Sequence, residues 1–206
     1  MLERGVDLEA QLADHSMPLH TAADYGKVAA VWSLLNHGAN IQARRKDLWT
    51  PLHIASWNGN PDVVRLLVKH SADLKAKMCK HSMPLHIVAE NGKVAAVQVL
   101  LEHGSIMHVW DEDGQTPLHN VSSRQYLGII ELLLEGRVDK DVQDKQWDTP
   151  LLLAVCEGKV EAVQLLLKRG ANVYARNDNR QTPLQLAEVR GNQEIKQLFS
   201  EHMRHA

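Results

Sequence analysis

Six prolines set the period of this chain. Pro18, Pro51, Pro84, Pro117, Pro150 and Pro183 stand 33 residues apart, and a leucine comes after each one. The residue after that leucine is His20, His53, His86 or His119 in the first four cases, then Leu152 and Gln185. Eight positions after the proline come Gly26, Gly59, Gly92, Gln125, Gly158 and Gly191. Twenty after it come Gly38, Ser71, Gly104, Arg137 and Gly170. A fixed period of this length means that each unit is too small to build a core alone, so the units must stack.

The local chemistry within one period reads as two helices. Proline suits the first helical turn, where its missing N–H has no partner to lose. Thr50, Thr116, Thr149 and Thr182 precede it as candidate caps. The glycine eight positions on is a helix stop. A second helix comes next, with apolar residues at helical spacing, as in Val64, Leu67 and Val68 or Val163, Leu166 and Leu167. Ala22, Ala55 and Ala154 recur four positions after the proline, where small side chains let helices approach closely. Aromatic residues make up 4% of the chain, with a single Phe, so the core must be built from Leu, Val, Ile and Ala.

These residues resemble the ankyrin repeat. Thr50-Pro51-Leu52-His53 and Thr116-Pro117-Leu118-His119 match its opening, and Leu34-Leu35-Asn36-His37-Gly38-Ala39-Asn40 and Leu166-Leu167-Lys168-Arg169-Gly170-Ala171-Asn172 match its close. The resemblance covers nearly the whole chain. It implies an all-α repeat solenoid, a stack of antiparallel helix pairs with projecting β-hairpin fingers. We place repeats at 14–46, 47–79, 80–112, 113–145, 146–178 and 179–206, the last with a polar C-terminal cap. Residues 1–13 read as the tail of an incomplete repeat, with Leu2-Glu3-Arg4-Gly5-Val6-Asp7 in the closing register. That points to a fragment or to one arm of a longer protein. In this family the opening histidine is buried and hydrogen-bonds the finger backbone, so the four motif histidines are expected to be structural and not metal ligands. His37, His70 and His103 precede the closing turn, where a cation complements the helix dipole.

Composition excludes several classes. Net charge is −2, which argues against nucleic acid as a partner, and no apolar stretch is long enough for membrane insertion. The start of the chain has acidic residues and no apolar signal core. Cys79 and Cys156 form neither a metal spacing nor a disulfide framework, which fits an intracellular, cytoplasmic or nuclear setting. No phosphate-binding glycine loop, His-Glu-x-x-His or Cys-x-x-Cys occurs. We expect no enzyme activity, no cofactor and a monomer.

Positions that vary while the framework repeats form the recognition surface. In ankyrin repeats partners lie along the concave face made by the fingers and the exposed side of the first helices. The matching positions include Tyr25, Trp57, Asn58, Glu90 and Arg124 on the helices, with Arg44, Lys46, Trp49 and Trp110 on the fingers. Trp, Tyr and Arg dominate interface hot spots, so Tyr25, Arg44, Trp49, Trp57 and Trp110 are the expected anchors. Trp147, in place of the usual finger glycine, is expected to pack, and Trp32 belongs to the opposite face. Repeat 113–145 departs most, with Gln125 for glycine, Val121 for alanine and Gly128 inside its second helix. It is expected to be the weakest unit and a hinge. The function expected is partner-protein binding. The alternatives are recruitment of a substrate to a catalytic domain or signalling ATPase outside this chain, and a structural spacer.

Overall fold

The computed structural model describes residues 7–205. The closing motif expected at residues 2–6 lies outside them. Among the described residues twelve α-helices run in pairs: α1 (Pro18–Asp24) with α2 (Val28–Asn36), α3 (Pro51–Asn58) with α4 (Pro61–Lys69), and α5 (Pro84–Glu90) with α6 (Val94–Glu102). They continue with α7 (Pro117–Arg124) and α8 (Leu127–Glu135), α9 (Pro150–Cys156) and α10 (Val160–Lys168), and α11 (Pro183–Val189) and α12 (Gln193–His205). The fold class is an all-α repeat solenoid, in two compact units, Met1–Ile106 and Met107–Ala206. In the first, α1 packs on α2 and α3, α3 on α4 and α5, and α2 and α6 on either side of α4. In the second, α7, α9 and α11 line up in order, with α8, α10 and α12 behind them.

All six first helices begin with proline, as the period requires. Thr50, Thr149 and Thr182 cap them by accepting a backbone N–H. The Thr50 and Thr116 hydroxyls also bond the Nδ1 of His53 at 2.8 Å and of His119 at 2.9 Å. The core of each unit is an apolar layer between its helices. Leu19, Leu52 and Leu85 are buried one after another in the first unit, and Leu118 and Leu151 in the second, where Val121 fits fully buried in the place of alanine.

The four opening histidines close the start of their own helices, and His20 and His119 also reach the next finger. All four are buried. In each case the Nδ1 accepts the N-cap backbone N–H, from Met17, Thr50, Met83 and Thr116 at 3.1–3.3 Å. That makes the Nε2 the protonated nitrogen. The Nε2 of His20 then donates to the Trp49 carbonyl at 3.2 Å, and that of His119 to the Asp148 carbonyl at 3.1 Å. Each acceptor lies 29 residues on, in the next finger. In α11 the Gln185 side chain does half of this, its Oε1 accepting the Thr182 N–H at 3.0 Å.

The fingers are tight turns, without a strand among the described residues. One bond closes each, from Arg45 N–H to the Trp49 carbonyl or from Asp144 N–H to the Asp148 carbonyl. Neighbouring fingers also touch, Lys46 N–H donating to the Asp14 carbonyl and Lys145 N–H to the Asp113 carbonyl. At the tip, one register takes positive φ in every finger: His15, Leu48, His81, Gly114, Trp147 and Arg180, at 58–77°. Only one of the six is glycine. Trp147 therefore holds a left-handed backbone with a bulky side chain, and that side chain is 60% exposed, not packed as expected.

Two features explain the irregular repeat. Gln125 caps α7 with φ 61°, so the position does demand the left-handed turn that glycine gives elsewhere. The closing turn falls on Arg137, which follows Gly136 and takes the left-handed position with φ 57°. A Cβ on Gly136 would come within 2.5 Å of the end of the Met107 side chain. The loop after α6, in the preceding repeat, is also irregular. Asp7, Asn40, Asp73, Asp139 and Asn172 share one register, and each accepts the N–H two residues on. Ile106 occupies that register and has no oxygen to offer.

Replacing Trp147 or Gln125 by glycine is expected to stabilise the protein, each by about 1 kcal/mol, because a non-glycine left-handed residue costs about that much. The thermal midpoint should rise by about 2–4 °C for each. Hydrogen exchange should find residues 113–145 less protected than both neighbouring repeats. Equal protection would remove the case for a weak unit.

Burial also makes stability depend on pH. It pushes His20, His53 and His119 below the ordinary histidine value, His53 to about 4. The unfolded chain therefore binds more protons between pH 4 and 6.5, and stability falls as pH drops through that window. Asp148 acts oppositely. Burial, with Asp144 and Asp178 nearby, pushes it up to about 6, and its Oδ1 has no hydrogen-bond partner. It loses stability as pH rises through 4–6. Denaturation from pH 4.5 to 7.5 should show His53→Gln flattening the acid loss, with glutamine keeping the bond seen at Gln185. Asp148→Asn should add about 1 kcal/mol at pH 7, after discounting for its partial exposure.

Candidate functional site

The expected anchors of the first unit come together where α1, α3 and the finger between them meet. The finger turn closes on Trp49, whose carbonyl takes the bonds from Arg45 N–H and His20. Its N–H donates to the Asp47 Oδ1 at 3.2 Å. Trp49 is thereby fixed at the mouth of α3. Trp57, two turns along α3, meets it edge to face, with ring centroids 5.8 Å apart and planes at 68°. Trp49 also lies tilted against the His53 ring at 6.2 Å. Trp57 remains 49% exposed, and Tyr25, the cap residue of α1, 70%. Aromatic pairs in this geometry are favourable and leave ring surface for a ligand.

Polar groups complete the wall. Asn58 Nδ2 reaches back one repeat to the Asp24 carbonyl at 2.8 Å and its Oδ1 at 3.0 Å. Arg45 bonds Asp47 at 3.1 Å and lies 3.6 Å from Asp14. The Ser16 hydroxyl and N–H, and then Arg45, hold the Asp14 carboxyl below its usual range. Asp24, Arg45, Asp47, Trp49, Ile54 and Trp57 line a pocket of about 250 Å³. A second hollow of about 210 Å³ shares Asp24, Arg45 and Ile54 with it and runs on to Tyr25.

The remaining candidates are more scattered. Arg44 is exposed but bonds the Lys77 carbonyl at 2.9 Å, bridging to the next finger. Lys46 is exposed. Glu90 ends α5 and is half-buried, and Arg124 ends α7 and is exposed. Trp110 lies in the second unit, 53% exposed. There, Arg124 lines a polar groove of about 620 Å³ with Gln115, Tyr126, Glu157 and Lys159. Sequence reasoning missed Arg45 and Asp14, whose roles depend on a contact between fingers. The signal available was Asp14 and Asp47 sharing one register.

A groove of about 750 Å³ lies on the outer face of α1 and α2. It is a stacking face. Ala30 is exposed there, whereas Val63 and Ala96 in the same register are fully buried. Trp32 on α2 is 56% exposed. The histidines before the closing turns cap their helices: the Nδ1–H of His37 donates to the Ser33 carbonyl at 2.7 Å, and that of His103 to the Val99 carbonyl at 2.8 Å. Cys79 donates to the Asp47 carbonyl, and Cys156 takes a bond from Arg190. No described helix is long and apolar enough to cross a membrane.

Comparison with known proteins accords with this architecture. No curated protein sequence matches the chain significantly. Among solved structures, the ankyrin repeat domain of Bcl-3, a member of the IkappaB protein family, is 32% identical with a TM-score of 0.84. That match covers 93% of this chain and 86% of that one. The human ASB11 ankyrin repeat domain is 29% identical with a TM-score of 0.83, over 91% and 84% of the two chains. An ankyrin repeat domain from Acinetobacter baumannii is 27% identical with a TM-score of 0.83, over 90% and 97%. The family model for ankyrin repeats matches three times, over residues 1–78, 74–144 and 121–205. A helix-pair solenoid with this repeated opening motif, matched along its length, belongs to the ankyrin repeat family, whose members are generally protein–protein interaction modules and typically non-catalytic.

Proposed function

We propose that this chain is a non-catalytic recognition module, acting as a monomer inside the cell, that binds a partner protein through its fingers and first-helix ends. Each of the segments 14–46, 47–79, 80–112, 113–145, 146–178 and 179–206 serves as one repeat. Tyr25, Trp49, Trp57 and Asn58 anchor the partner in the first unit, with Arg44 and Lys46 beside them. Glu90, Trp110 and Arg124 extend the contact. The observation that carries this reading is Trp57, half exposed on a first helix and held edge-on by a finger tryptophan. An apolar ring of that size on an otherwise polar helix end is the pattern of an interface anchor.

The test is affinity capture from a cell lysate with the unmodified chain beside the Trp49→Ala, Trp57→Ala double variant. Circular dichroism confirms that both are folded. We expect a protein retained by the first and lost by the second, with affinity reduced by at least about 2 kcal/mol, the hot-spot threshold. Equal retention by both would overturn the anchor.

A further inference from the structure

The pocket between α1, α3 and their finger is chemically one-sided. Its aromatic wall is the Trp49–Trp57 pair, and an edge-to-face arrangement leaves one indole with both faces clear of the other ring. The other walls carry carboxylates. Asp24 and Asp47 line it, and Asp14 lies in the hollow that continues it. One guanidinium, Arg45, stands against these three, and it is held by Asp14 and Asp47. Arg44 on the same finger is turned to the Lys77 carbonyl. The balance at the pocket is negative. Its volume, about 250 Å³, is too small for a helix and suits one long side chain.

Indole faces attract cations through the ring quadrupole, and carboxylates at the rim add direct attraction. We propose that this pocket receives a cationic side chain, lysine or arginine, of the partner protein, its stem along Ile54 and its charge between the indoles and Asp24 and Asp47. This rests on the recognition surface proposed above and names the chemistry of its central contact. It also accounts for Asn58. By holding Asp24 through both its carbonyl and its carboxylate, Asn58 fixes a charge beside the aromatic pair that would otherwise be free to turn to solvent.

The test does not need the partner. In the ¹⁵N-labelled full chain, each of the five tryptophans gives one indole N–H resonance. The chain is titrated with n-butylammonium, n-butylguanidinium and the neutral n-butanol. Both cations are expected to move the Trp49 and Trp57 signals saturably, with Trp32, Trp110 and Trp147 as internal references. The tighter of the two cations identifies the side chain. Trp57→Ala should weaken the response of Trp49 by about threefold to tenfold. Asp24→Asn with Asp47→Asn, which preserves an acceptor oxygen at both positions, should weaken it by at least about threefold. No movement, equal movement with n-butanol, or an unchanged response in the double Asn variant would overturn the proposal. A partner captured through Trp57 with no cation response would keep the recognition surface and remove this pocket's ligand.

Discussion

The buried imidazole at the start of four of the six first helices is the contact on which the rest depends. It closes the helix N-terminus with one nitrogen and, at His20 and His119, holds the next finger with the other. These bonds offset the cost of burying a polar ring, since an unpaired buried polar group is costly. The bond also orients the following repeat. Trp49 carries the carbonyl that His20 grips, so the finger that presents Trp49 to Trp57 is set by a histidine one repeat earlier. Framework and the proposed recognition surface meet in that one acceptor.

Much of this is legible in the sequence because each requirement falls on a fixed residue type. Proline can open a helix at little cost, and all six periodic prolines do so. Buried leucines and the opening histidines recur where the period puts them. Gln125 shows the same logic from the other side: the left-handed turn is kept without the glycine.

The contacts that the sequence hides have partners about one repeat away and a chemistry that is not periodic. Arg45 is one residue from Arg44, yet one guanidinium bonds carboxylates and the other a carbonyl in the following finger. Nothing in the local sequence separates them. Trp147 misleads for a related reason. A large apolar residue suggests packing, but the finger tip projects from the structure, and the ring is left in solvent. Position alone gives Gly136 the closing turn, but Arg137 takes the left-handed backbone there and the Met107 side chain lies beside the glycine.

The 29-residue reach from histidine to finger carbonyl has a kinetic consequence. Folding slows when distant parts of a chain must meet before any contact rewards the loss of freedom. Here the interval is fixed by the repeat, and lengthening a chain of this kind adds further intervals of the same size. The loop to be closed stays short however many repeats are present, and any adjacent pair can serve as the nucleus from which order spreads. A binding surface can thus be extended repeat by repeat without making the search for the native state harder at each addition.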